Sequence, residues 1–229
     1  LASSTLEAAV TEIAGCEICV SSITASVKLF STTAIVSRMA FCHMSFKMAD
    51  KYPVRRSGVG SHDVREIGLR DLLFYADGSS VLDIGCNRGH VGYEFYRHGA
   101  TKVHGCDIDV PSINCARQWF TELTIESKFE VVDLTKGPAE LNKFFGEMKY
   151  DIVLFVGVLH KLKRVMPPKV LADLVLSLGE RSLKYLGWNG YVEDLDFMDD
   201  NLTQRTAGLR RIHLSEFAAP GIAAVWKRF

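Results

Sequence analysis

The sequence has no excess of either charge. Lys and Arg together number 27, as do Asp and Glu, so the chain lacks the basic surplus on which sequence-blind binding to a nucleic-acid backbone draws. It has no apolar run of membrane-spanning length. In the first 50 residues the longest apolar stretches are cut by Lys28 and Arg38, short of the roughly 18 residues a spanning helix needs. Cysteine is too sparse for a disulfide scaffold: Cys16, Cys19, Cys42, Cys86, Cys106 and Cys115 are six in 229 residues. Reduced, buried thiols in a cytoplasmic protein are the expectation. No internal repeat or low-complexity tract interrupts the chain. With 48% hydrophobic and 24% charged residues, what remains is a globular chain long enough for one domain and some extra.

Residues 1–50 differ in texture from the rest. They are rich in Ser, Thr and Ala, with four acids and three bases. Three readings of this amino-terminal extension stand open: a targeting presequence, although it holds a single Arg; an added helical layer or cap; or upstream reading frame, with Met44 or Met48 as the working start. Cys16-x-x-Cys19 with Cys42-His43 has metal-ligand residue types and adds a zinc-stapled binding module as a fourth.

From residue 51 onward the pattern is regular. Ser61 is placed to cap a helix reaching Tyr75, with Val64, Ile67, Leu69, Leu72 and Leu73 on one stripe. Strands are predicted at Ser80–Ile84, Lys102–Asp107, Phe129–Asp133, Tyr150–Val156 and Gly190–Leu195, with helices over His90–Arg97, from Pro111, and from Pro167-Pro168 through Leu186. Alternation of strands and helices predicts an α/β fold: a doubly wound, mostly parallel sheet with helices on both faces. A last pair of strands, Arg211–Phe217 and Ile222–Lys227, is joined through Ala219-Pro220-Gly221. So short a connection makes them an antiparallel hairpin and completes a seven-stranded sheet. Residues 51–229 thus form one domain.

The chemistry centres on Val81-Leu-Asp-Ile-Gly85-Cys-Asn-Arg-Gly89-His-Val-Gly92, which follows a strand and opens a helix. In such folds ligands bind at the carboxyl ends of the strands, at the switch point of the sheet. Gly85 lets backbone approach a ligand, Gly89 can take positive φ, and free N–H groups at the helix start can face an anion. A nicotinamide or flavin site wants Gly-x-Gly-x-x-Gly, and Asn87 breaks that pattern. A P-loop wants Gly-Lys-Ser/Thr, which is absent. Asp107, 22 residues after Gly85 at the end of the second strand, can accept both hydroxyls of a ribose. Asp109 suits the cap of the helix at Pro111 and leaves Asp107 free for the sugar.

Asp83-x-Gly85-x-x-x-Gly89 resembles motif I of the class I S-adenosylmethionine-dependent methyltransferases, with Asn87 where the family usually carries Gly. Asn tolerates the left-handed region better than other side chains. The resemblance implies S-adenosyl-L-methionine as cofactor, held by Asp83, Gly85, Cys86, Asn87 and Gly89. It puts Asp107 on the ribose and Ile108 beside the adenine. Asp133 would take the adenine amino group, and the backbone of Leu134 a ring nitrogen. Tyr150-Asp-Ile-Val-Leu-Phe-Val-Gly-Val-Leu-His160 looks like motif IV, whose strand end, with Phe155 and Val156, meets the methionine part.

The acceptor is less defined. Methyl transfer from a sulfonium is an in-line displacement that needs alignment and exclusion of water, and a base only where the acceptor must lose a proton. Among the family's patterns, no Asn/Asp-Pro-Pro-aromatic and no Pro-Cys follow the fourth strand, which argues against methylation of bases in DNA. Phe155 and Val156 stand where catechol-type enzymes place a metal-binding Asp. Asp199-Asp200-Asn201 has magnesium-ligand types but reads first as a solvated acidic loop, so no metal is expected. His160 is the base candidate, because an imidazole titrates near neutrality. Arg88 and His90 flank the loop, and Arg55, Arg56, Gly58 and Gly60 form a flexible basic stretch of the kind that folds over a cofactor or merely links. Gly85-Cys-Asn-Arg-Gly-His90, Cys106-Asp-Ile-Asp109 and Ala116-Arg-Gln118 resemble methyltransferases that cap RNA 5′ phosphates. A small-molecule acceptor is therefore the leading expectation. RNA, or a non-catalytic partner subunit with the same fold, stands as the alternative.

Overall fold

A computed structural model describes residues 67–206, 208–215 and 221–229. The extension at 1–50, the Ser61 cap, the basic stretch at 55–60 and the Cys16, Cys19, Cys42 and His43 set lie outside the described residues.

Seven strands form one sheet: β1 Ser80–Ile84, β2 Lys102–Asp107, β3 Glu126–Val131, β4 Tyr150–Val156, β5 Ser182–Gly190, β6 Leu209–Ser215 and β7 Ile222–Arg228, in the order β3-β2-β1-β4-β5-β7-β6. β1 lies parallel between β2 and β4, and β4 pairs parallel with β5. β7 inserts antiparallel between β5 and β6. The chain winds outward from β1 in both directions, so the sheet reverses its order between β1 and β4, where a doubly wound sheet opens its ligand crevice.

β1, β4 and the heart of β5 are buried on both faces, which is why they read as continuous apolar runs rather than alternating ones. On one face Leu82, Ile84, Phe155, Trp188 and Trp226 pack with Leu141 and Phe145 of α3 (Pro138–Phe145) and with Leu171, Leu174 and Leu178 of α5 (Pro168–Arg181). The other face carries α1 (His90–Arg97), α2 (Val110–Thr121) and a 3-10 segment, Ile67–Tyr75, whose Leu69 and Leu72 lie against the bare backbone of Gly187. α2 begins as expected: Pro111 stands in its first turn, and Asp109 caps it, accepting the Ser112 N–H at 2.9 Å.

Several elements depart from the sequence pattern. The 67–75 segment is a 3-10 helix. β3 begins and ends earlier than predicted, so Val132 and Asp133 lie beyond it. α3 was not foreseen; Gly137, at φ 81°, lets the chain enter it, and Pro138 stands in its first turn. The largest correction concerns β5. Ser182–Leu186 continues a helical apolar pattern without a Gly or Pro to stop it, yet α5 ends at Arg181 and Ser182 pairs with Tyr150 of β4. Gly190 is the last residue of β5, and Val192–Asp194 is a 3-10 turn. Long-range pairing outweighs local helix propensity here.

Candidate cofactor and acceptor site

The loop after β1 is built on three left-handed residues: Gly85 at φ 76°, Asn87 at φ 51° and Gly89 at φ 82°. Among the described residues Asn87 is the one non-glycine with positive φ, a conformation costing roughly 1–2 kcal/mol for an ordinary side chain and less for Asn. Hydrogen bonds hold it there. Gly85 and Cys86 N–H donate to the Cys106 carbonyl at 2.8 and 2.9 Å, and Gly89 N–H to the Cys86 carbonyl at 2.8 Å. Asn87 N–H donates to Asp107 Oδ2 at 2.9 Å. A Cβ on Gly85 would lie 2.2 Å from Cγ2 of Val158, and one on Gly89 3.1 Å from Phe120. Nothing larger than glycine fits at position 85.

Asp107 ends β2 half-buried, with Oδ1 accepting the Asp109 N–H at 3.0 Å. Each oxygen thus takes one backbone donor and keeps acceptor capacity toward solvent, as a ribose diol requires. Ile108 beside it is 62% exposed and Val110 50% exposed, an apolar surface of the kind that receives an aromatic base.

The remaining predicted residues divide. Asp83 is buried, close to the point where α1 meets the sheet at Gly92. The Cys86 thiol is buried against Gly105, and burial with nearby Asp83 pushes its pKa far up; burial likewise holds Cys106 at about 12. Both thiols are core groups, with Cys86 contributing backbone to the loop. Asp133 caps the 3-10 turn Leu134–Lys136, Oδ1 accepting from Thr135 N–H at 3.1 Å and Oγ1 at 2.6 Å. Leu134 and Phe155 bury their side chains in the core, so only their backbone can face a ligand. Val156, at the end of β4, is 8% exposed. Asp199 accepts the Trp226 indole N–H at 3.0 Å and pairs with Arg211 at 2.7 Å, and Asp200 accepts from Gln204; these acids serve the local structure.

His160 lies in the single turn α4 (Leu159–Leu162), anchored by fully buried Leu159. Its ring meets Tyr191 edge-on, centroids 5.2 Å apart at 83°. Burial, then Lys161 and Arg164, hold the imidazole below its usual pKa against the opposing pull of Asp194. Tyr191 directly follows β5, so both rings stand at the carboxyl ends of neighbouring strands. The sequence pattern hid this by placing Tyr191 inside the fifth strand. It also passed over Asn189, paired with Val156, whose carbonyl accepts the Gly157 N–H at 3.1 Å. The Asn189 side chain is buried and its Nδ2 has no hydrogen-bond partner in the protein. The signal for both residues was the strand-end rule, applied to a strand whose limits the sequence misplaces.

Residues 81–179 match the family described as "Methyltransferase domain". Ribosomal protein L11 methyltransferase of Agathobacter rectalis is 26% identical over 170 residues, 69% of this chain and 48% of the relative. The protein of the same name from Dictyoglomus thermophilum is 33% identical over 98 residues, 42% and 30% of the two chains. The chain therefore spans about half or less of the curated relatives it matches. In fold it resembles the magnesium protoporphyrin IX methyltransferase of Synechocystis PCC 6803 solved with bound SAM (TM-score 0.55, 16% identity, 88% of this chain and 99% of that one). It also resembles N-methyltransferase NodS of Bradyrhizobium japonicum WM9 (TM-score 0.54, 14% identity, 72% and 94%). The sheet order, the left-handed loop tied to Asp107 and the matching span agree, and residues 81–179 of this chain form a methyltransferase domain of the class I, S-adenosylmethionine-dependent type.

Proposed function

We propose that this chain transfers the methyl group of S-adenosylmethionine to a small-molecule acceptor held over the carboxyl ends of β4 and β5. The observation that carries the reading is the loop Gly85–Gly89, held left-handed at three residues and tied through Asn87 N–H to an Asp107 carboxylate that keeps acceptor capacity. Asp107 would bind the ribose, Ile108 the adenine face, and the backbone from Gly85 to Gly89 the methionine end. The backbone of Leu134, Phe155 and Val156 would border the site, with Asp133 near the adenine edge and Asp83 bracing the loop from below. The cofactor, when bound, supplies an electrophilic methyl group.

The protein's own part is alignment and shielding. His160, held edge-on by Tyr191 and neutral at pH 7 because its pKa is lowered, is the proposed proton acceptor for an acceptor that must be deprotonated. Asn189 offers a buried amide donor to an acceptor oxygen. Balanced charge supports a small molecule over RNA. The L11 relatives are named for a protein acceptor, so a protein substrate is the outcome to test against. Among the described residues no helix is long and apolar enough to cross a membrane, and Cys86, Cys106 and Cys115 are free thiols. We infer a reducing, cytoplasmic setting from the thiols.

The test is transfer of radiolabelled methyl from S-adenosylmethionine to an extract fractionated into metabolites, protein and RNA. Label in the metabolite fraction is expected. Label confined to protein or RNA would overturn the acceptor class, and no label above a Gly85→Ala control would overturn the activity.

A further inference from the structure

The edge of the sheet opposite the cofactor loop carries a second concave site. A cleft of about 640 Å³ opens where α5 ends and β4 and β5 begin. Strands rise roughly 3.3 Å per residue, so the length of β5 separates this cleft from Tyr191 and His160. Its ionisable lining is Lys149, Arg181, Arg205 and Arg228 against Glu147 and Glu180, four cations to two carboxylates. In a chain whose formal charges sum to zero, that is a local positive site.

Two buried polar groups in its wall lack partners. Arg181 is 5% exposed; its Nη1 donates to the Met148 carbonyl at 3.0 Å and its Nη2 to Asn142 Oδ1 and the Gly146 carbonyl, yet Nε–H has no hydrogen-bond partner in the protein. Ser182 is 1% exposed, and its Oγ likewise has none, although its carbonyl accepts Arg228 Nε at 2.7 Å. A buried donor without an acceptor is destabilising, and these two sit on adjacent residues beside a cation-lined cavity. Arg205 reaches the same cleft with its guanidinium donating to Asn201 Oδ1 at 2.7 Å and lying 3.7 Å from Asp173. Exposed Lys149 supplies a mobile ammonium at the rim. The guanidiniums of Arg181 and Arg228 are fixed by carbonyls and contribute field and one N–H edge; Arg205 is held by Asn201 and Asp173 yet has further N–H donors, and Lys149 is the cation with room to turn toward a guest.

We propose that this cleft binds a phosphate group, free or as the monoester of a small metabolite, with Arg181 Nε–H and Ser182 Oγ–H as buried donors and Lys149 and Arg205 as closing cations. A tetrahedral oxyanion suits unpartnered donors on two adjacent residues together with the Lys149 ammonium and the Arg205 guanidinium lining the same cleft. Glu147 and Glu180, both exposed at the cleft, disfavour a long polyanion and restrict the guest to a compact group. The site stands apart from methyl transfer and does not depend on it.

The test is calorimetric titration of the full chain with inorganic phosphate and with glycerol phosphate, against chloride at matched ionic strength. Saturable heat with either phosphate and none with chloride is expected, tighter binding of the ester marking a monoester site and equal or weaker binding a free-ion site. Lys149→Ala with Arg205→Ala should weaken binding at least tenfold and leave S-adenosylmethionine affinity unchanged, which also certifies folding. Ser182→Ala should weaken phosphate binding severalfold while the melting temperature without phosphate stays level or rises, since an unsatisfied hydroxyl is removed. Equal response to phosphate and chloride, or phosphate binding unchanged in both variants, overturns the proposal.

Discussion

At the scale of single residues, Asp107 and His160 carry the two proposed roles, ribose binding and proton transfer. Asp107 braces the loop through Asn87 and Asp109 N–H and keeps the acceptor capacity that the proposed ribose contact needs. Asp107→Ala should therefore weaken S-adenosylmethionine binding by about 1–3 kcal/mol and also lower the melting temperature of the free protein modestly, because two backbone donors lose their acceptor. Calorimetry and a melting curve measure the two effects; unchanged affinity would move the ribose contact elsewhere. His160 makes a different prediction. As a base it must be neutral, and its pKa is held below the ordinary 6.5 by burial and by Lys161 and Arg164. The acid limb of the rate should then have its midpoint below pH 6.5. His160→Ala should lose about 10²–10⁴-fold in kcat, abolish that acid limb and leave cofactor affinity nearly intact. A variant that keeps the limb would remove His160 from proton transfer.

At the scale of elements, the join between β1 and α1 depends on one contact across the switch point. Gly85 has positive φ, and Val158, just past β4, occupies the space a side chain would need. Gly85→Ala should abolish cofactor binding. Adding Val158→Ala should restore part of it, because the clash is relieved while the left-handed backbone remains strained for alanine. A double variant no better than the single would show that strain alone is decisive. This loop was legible in the sequence, down to Asn87 as the tolerated left-handed residue, because strand, turn and helix are contiguous. The rim proposed for the acceptor was not. Tyr191 and Asn189 owe their places to where β5 ends, and β5 begins where it does because Ser182 meets Tyr150 across the sheet. Asp133 was legible as an acid after β3, and its bonds to Thr135 realise the capping role that an Asp at the start of a turn also offers.

At the scale of the whole molecule, stability should depend on pH through a histidine remote from the site. His104 of β2 is buried, its Nδ1 2.8 Å from the Tyr150 hydroxyl and its Nε2 3.8 Å from Glu126. Burial, with Lys102, holds its pKa at about 4, against 6.5 for a free imidazole. Between those values the unfolded chain takes up a proton that the folded chain refuses. Stability is therefore full above pH 6.5 and falls toward pH 4, by roughly 3 kcal/mol in all. His104→Gln should show a shallower loss over the same window in denaturant titrations; parallel curves would assign the slope to other groups. A second prediction concerns the domain boundary. Every described strand and helix starts at Ile67 or later, so residues 44–229 alone should fold and bind S-adenosylmethionine. An insoluble or molten fragment would show that the first segment belongs to the core.

The sequence by itself determined the strands β1, β2 and β4, the helix α1, the Asp109 cap and the loop that joins β1 to α1. Each is specified by neighbours within a few residues: a bounded apolar run, a capping carboxylate, a turn that needs left-handed backbone. Only the tertiary structure decided where α5 yields to β5, that β7 enters between β5 and β6, and that His160, Tyr191 and Asn189 share one rim. It alone brought Arg181 and Ser182 to the wall of a basic cleft. Those outcomes rest on hydrogen bonds and packing between segments many residues apart. Their energies depend on which surfaces meet, and a local pattern of residue types carries no record of its eventual partner.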